Sequence, residues 1–268
     1  MYYELLLQEQ LIWNIPLLMM LLCLMGIYIF LLIRFTNMKM YHKQPILFML
    51  GIGLLFLVVG SPLSSITQLS FSLHMIQMSI LYFIIPPIIL LGIPERMYCS
   101  LLNTPLMKKV SKLFIAPKII LYSFAILFLI YHLPFVLSIL SQADFLQNGY
   151  LLLLFILAFG MWWPIVSPDP DERLNHAHMK RYAFRSGLIL MPACMLFILT
   201  AFMDGGDNPF LSQITAHLCI PQSSSFSLLP PLFNTKIDQI MSGVLMLGLH
   251  KIGLIMTFKL GDKVFIYR

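Results

Sequence analysis

Four side chains at the mouth of one apolar run could do chemistry. The stretch from Ser72 to Met97 reads SLHMIQMSILYFIIPPIILLGIPERM and sets His74, Met75, Gln77 and Met78 at the start of a membrane-length hydrophobic segment. If the run is helical, His74 and Met78 are four residues apart and share a face, with Met75 on its flank. One imidazole and two thioethers make a soft donor set suited to copper(I), whereas Mg or Ca would want carboxylate and carbonyl oxygens. In a chain with 19 methionines and 59% apolar residues, an M-x-x-M spacing alone says little. The histidine says more, because ionisable groups within membrane spans are costly and face the bundle interior. Pro86 and Pro87 interrupt the same helix near its middle, which frees carbonyls that neighbouring helices or water must satisfy. That requirement predicts a central place for this helix.

The elements that position these groups are membrane helices. Charged residues are only 10% of the 268, against roughly 25% in soluble domains, and the mean hydropathy is +0.88. Seven apolar runs, each near the ~20 residues that cross a bilayer, fall at about 11–33, 46–61, 72–93, 118–140, 150–166, 187–203 and 237–258. The expected fold is therefore all-α: one polytopic membrane helical bundle over residues 1–268 with about seven transmembrane helices. The first run follows Glu4 and Glu9 instead of a basic region and has no small-residue cleavage site, so it is expected to be retained and not removed as a signal peptide. Cys23, Cys99, Cys194 and Cys219 stand singly, without a C-x-x-C pair, and imply no disulfide framework.

Basic residues set the expected orientation. Arg34, Lys39 and Lys43 lie in one connection; Arg96, Lys108, Lys109 and Lys112 in a second, with Lys118 at its edge; Arg173, Lys180, Arg181 and Arg185 in a third; and Lys259, Lys263 and Arg268 in the tail. The opposite side carries only Lys236 against Glu4, Glu9, Asp144, Asp204, Asp207 and Asp238. The positive-inside rule then puts the N-terminus outside and the C-terminus in the cytoplasm. The net charge of +6 reads as a topology signal and not as a nucleic-acid footprint.

In that orientation His74 lies at the outer end of the third run, and His132, beside Pro134, in the outer half of the fourth. Asp238 and Gln239 open the seventh from the outside, and Met241 follows Asp238 by three residues. Three spans thus offer imidazole, thioether and carboxylate or amide groups at one depth. His217 and Cys219 lie in the long outer connection 204–236. His42, His176 and His178 lie among lysines and arginines on the inner side and read as solvated loop residues. His250, with Met246 four residues before it, offers a second, inner position. No P-loop, G-x-G-x-x-G, H-E-x-x-H or G-x-S-x-G occurs, so nucleotide, zinc-protease and hydrolase chemistry have no support and no enzyme is expected.

The segments HMIQMSILYFIIPPIILLGIP, YHLP, MWWPI and DQIMSGVLM, in that order over roughly residues 60 to 255, resemble the CtaG-type cytochrome c oxidase assembly factors of bacteria. The resemblance implies a multi-pass protein of the bacterial cell membrane that serves a haem-copper oxidase. It implies copper handling on the outer side, with an oxidase subunit and other copper chaperones as partners besides the lipid bilayer. Carried onto this chain, the functional positions would be His74, Met75, Gln77, Met78, His132, Asp238 and Gln239; with Met241, placed by its spacing from Asp238, the expected metal-handling set is His74, Met75, Met78, His132, Asp238, Gln239 and Met241, with Gln77 and Gln239 orienting the imidazoles. Met78 stands where relatives carry a second histidine, and LQNGY (146–150) stands where they carry another; the exchange at Met78 keeps a copper(I) ligand and disfavours copper(II). The leading expectation is a copper(I) metallochaperone with a shallow, solvent-reachable site that works by ligand exchange. The alternatives are a membrane haem or redox protein with His74 and His132 as axial ligands, and a copper permease with polar groups continuing through the bilayer.

Overall fold

The computed structural model describes residues 13–67, 70–102, 117–140, 143–202 and 235–265. Glu4, Glu9, Lys108, Lys109, Lys112, Asp204, Asp207, His217, Cys219 and Arg268 lie outside them. In chain order the helices are α1 (Ile15–Phe35), α2 (Lys43–Leu55) with a π turn at Phe56–Gly60, and the short α3 (Leu63–Ile66). Then come α4 (Phe71–Ser79), a π turn at Ile80–Ile84 and α5 (Ile85–Leu91), which together form one rod, followed by α6 (Glu95–Leu102). The remainder are α7 (Pro117–Tyr131), α8 (Pro134–Leu140), α9 (Asp144–Val166), α10 (His176–Phe202) and α11 (Thr235–Phe265). No strand occurs among the described residues, and the architecture is an all-α polytopic bundle.

Among the described residues six helices are long and apolar enough to cross a membrane: residues 15–35, 43–60, 71–91, 145–166, 176–202 and 236–265. The run expected at 118–140 is divided instead into the 15-residue α7 and the 7-residue α8. Pro134 explains the break. A proline has no N–H to donate to the preceding turn and disfavours helical backbone in the residue before it, and the helix turns at His132 and restarts at residue 134.

The rod 71–91 is the centre of the bundle: 72% of its span window is buried, against 17% for the peripheral α1. It packs on α2, α9 and α11. Its two prolines leave two carbonyls without their usual donors, and a neighbouring helix packs against each. The indole Nε1–H of Trp162 donates to Tyr82 O at 2.9 Å, taking the place of the N–H that Pro86 lacks. The Phe83 carbonyl, which Pro87 leaves without an N–H, faces Gly253, where an added Cβ would lie only 2.6 Å from the oxygen. The π turn just before the prolines shifts the ladder so that Ile85 N–H reaches Ile80 O. At the other end of the rod Tyr28 Oη donates to Gly92 O at 2.7 Å, and Gln44 Nε2 to Leu91 O and Ile93 O at 3.5 and 3.4 Å, satisfying carbonyls orphaned by the helix terminus.

Close backbone approach fixes α11 against its neighbours. Gly243 sits where a Cβ would meet Cys194 O at 2.6 Å, as Gly253 does against the rod, so α11 is wedged between α10 and the rod. Small residues at such crossings are how membrane helices gain packing without a hydrophobic driving force. Large apolar side chains such as Ile33, Phe135 and Phe145 point outward instead, as hydrocarbon allows.

Candidate functional site

His132 stands at the helix break. Its N–H bonds Leu129 O, three residues back, and so does not serve Phe128 O. The imidazole fills the gap, with Nδ1 2.7 Å from Phe128 O. A carbonyl can only accept, so Nδ1 carries the proton and the lone pair resides on Nε2. That nitrogen is buried and has no hydrogen-bond partner among the described residues. Buried polar atoms are rarely left so. A backbone carbonyl on one nitrogen with an open lone pair on the other is how proteins set an imidazole as a metal ligand.

His74, one turn into α4, faces it. The two rings are 6.3 Å apart between centroids, at 62°. With nitrogen–metal bonds of about 2 Å on either side, two imidazoles across one ion have centroids about 6 Å apart. Aromatic rings wall the pair: Phe128, Tyr131 and Phe197 lie 4.4, 5.0 and 5.3 Å from His132, and Tyr131 lies 6.2 Å from His74. Both histidines are buried, which corrects the expectation of a shallow, solvent-reachable site.

Asp238, expected as a ligand, is engaged at the start of α4. Its Oδ1 accepts from Ser70 Oγ at 2.7 Å and Ser72 N at 3.0 Å, its Oδ2 from Phe71 N at 2.6 Å, and its own carbonyl from Ser72 Oγ at 2.9 Å. A carboxylate from α11 therefore caps the N-terminus of α4, where the first N–H groups have no partner in their own helix and the helix dipole favours negative charge. Ser70 also accepts from Leu73 N and completes the cap. Ser70 and Ser72 escaped the sequence reading, although a serine ahead of an apolar run is a capping signal in its own right.

Met75 and Met78 are both fully buried on α4, and Gln239 is buried on α11. Gln77 turns away from the imidazoles: its Oε1 accepts from Thr67 Oγ1 at 2.6 Å and its Nε2 donates to Val58 O at 2.8 Å, pinning the end of the second span to the rod. Met241, expected in the ligand set, is 49% exposed and lies outside the buried face of α11, so it is not brought together with His74 and His132. Among the described residues, no three of His, Cys, Asp and Glu form a group able to hold a metal ion.

The sequence from residue 26 to residue 259 matches the family described as cytochrome c oxidase caa3 assembly factor (Caa3_CtaG). The chain belongs to that family. The CtaG family is described by assembly of cytochrome c oxidase, and the apolar helices of this member mark it as a membrane protein. No curated protein and no solved structure matches the CtaG-family chain.

Proposed function

We propose that this CtaG-family protein is a copper(I) chaperone of the bacterial cell membrane. It would hold the ion on the outer side between His74 and His132 with a thioether from Met78 or Met75, and pass it to a cytochrome c oxidase subunit. One observation carries the reading: the bond from Nδ1 to Phe128 O turns the lone pair of His132 Nε2 into a buried position with no other partner among the described residues, and His74 lies across from it. Two imidazoles and a thioether suit copper(I) and give a harder divalent ion no carboxylate.

Copper(I) is here a cargo. Asp238 ties the first turn of α4, and with it His74, to α11. The aromatic wall excludes water, which keeps the cuprous state from a wet, oxidising surface. Release proceeds by ligand exchange, one bond at a time, with soft groups of the acceptor. Because both imidazoles are buried, exchange needs a movement, and the interrupted helix at Leu133 beside His132 is the place where the backbone can yield. The orientation that puts this end outside rests on the lysine and arginine asymmetry. A haem between the two imidazoles would have to displace Phe128, Tyr131 and Phe197, so the chaperone reading is preferred.

The test is copper stoichiometry on anaerobically purified protein. His74→Ala and His132→Ala should each lose the same ion, and the double variant should lose no more, because the two imidazoles act as a unit. Wild-type copper content in both single variants would overturn the proposal.

A further inference from the structure

We propose that His250 and Met246 form a second site for a soft monovalent cation of the copper(I) type, lower in the bundle and separate from the His74 and His132 pair.

Both side chains lie on the buried face of α11. Four residues apart, they can chelate one ion from a single helix. His250 is buried, and its Nε2 has no hydrogen-bond partner among the described residues. A histidine kept only for packing would be an expensive choice there, since leucine fills the space without a polar atom to satisfy. Gly187 of α10 leaves room beside the ring, with its nearest contact, His250 Cε1, 3.9 Å from where a Cβ would stand. The Phe83 ring meets the imidazole edge-on at 4.9 Å, from the π turn of the central rod. Such turns are frequent at functional sites.

The two places are related in space. His250 is eleven residues below Gln239, about 17 Å along α11. Between them stand two phenylalanines: Phe83 is 4.9 Å from His250 and 6.2 Å from Phe128, which is 4.4 Å from His132. An aromatic barrier two rings thick thus divides the upper imidazoles from the lower one. Thioether and imidazole on either side of it are the donors a soft cation takes and a hard one refuses.

The experiment uses the full chain in lipid nanodiscs with silver(I), a redox-inert probe of copper(I) sites, and counts bound ions. Wild type should bind two, His74→Ala/His132→Ala one, and the same background with Met246→Leu or His250→Gln none. Met246→Leu conserves volume, so its effect does not depend on whether His250→Gln folds. In a wild-type background Met246→Leu should leave one ion. If the double histidine variant binds no silver, or if Met246→Leu and His250→Gln both leave the count unchanged, the inner site is overturned. A double histidine variant that still binds every ion the wild type binds, and loses it with Met246→Leu, would instead sink the outer reading and leave this one standing.

Discussion

The carboxylate of Asp238 accepts the backbone N–H of Phe71 at 2.6 Å, so the last helix of the chain closes the first turn of the helix that carries His74. The residues are 167 apart in sequence. The position of a proposed ligand is therefore set by a side chain that need not touch the ion.

Replacing that carboxylate should cost stability first and copper second. Asp238→Asn keeps one acceptor oxygen and should destabilise by about 1–2 kcal/mol, and Asp238→Leu, which strands Ser70 Oγ, Phe71 N and Ser72 N, by about 3 kcal/mol or more. Unfolding in bicelles measures both. A leucine variant as stable as wild type would show that the cap is dispensable.

Met78 offers a cleaner question about softness. Met78→Leu preserves volume and should change stability by less than about 1.5 kcal/mol while removing the sulfur donor. Oxidase activity in copper-limited membranes should fall for Met78→Leu, fall less for Met78→His, and recover in both on adding copper. Equal activity of Met78→Leu and wild type, at equal expression, would make Met78 a packing residue.

Trp162 and Pro86 should be coupled. Trp162→Phe leaves Tyr82 O buried without its donor and should cost about 1–3 kcal/mol. In a Pro86→Ala background the new N–H of residue 86 can serve that carbonyl, so the same indole loss should cost clearly less. A double-mutant cycle that closes to zero would contradict this account of the proline break.

The orientation is checked with fusions. A reporter after Arg268 should be cytoplasmic and one inserted at Ser224 external. The reverse pattern would move the His74 and His132 pair to the inner face and remove the outer-copper proposal.

The sequence showed where the helices are and which pair of histidines to watch, because hydropathy and the cost of a buried ionisable group are local properties. It also says that the carbonyls freed by Pro86 and Pro87 need partners, though not that Trp162 would serve Tyr82 O or that Gly253 would lie against Phe83 O, since the identity of a neighbour depends on packing. The cap made by Asp238 is hidden for a related reason: a carboxylate opening a span looks the same in sequence whether it binds an ion or caps another helix. Met241 shows what a spacing argument misses. At about 100° per residue, Gln239, Ser242, Met246 and His250 turn to one side of Asp238, and Met241 falls about 60° to the other. Sharing a face with Asp238 therefore did not mean sharing the face that the neighbours cover. The break at His132 was in plain view as His-Leu-Pro, yet hydropathy averaged over the run concealed it.

The cap on α4 also has a meaning in time. During synthesis the rod 71–91 enters the membrane long before the residues of α11 exist, and until then the N–H groups of Phe71 and Ser72 have no carboxylate to receive them. The first turn that carries His74 is completed only when the last helix has been inserted. A growing chain, like a truncated one that ends before Asp238, therefore carries α4 without this carboxylate at its first turn.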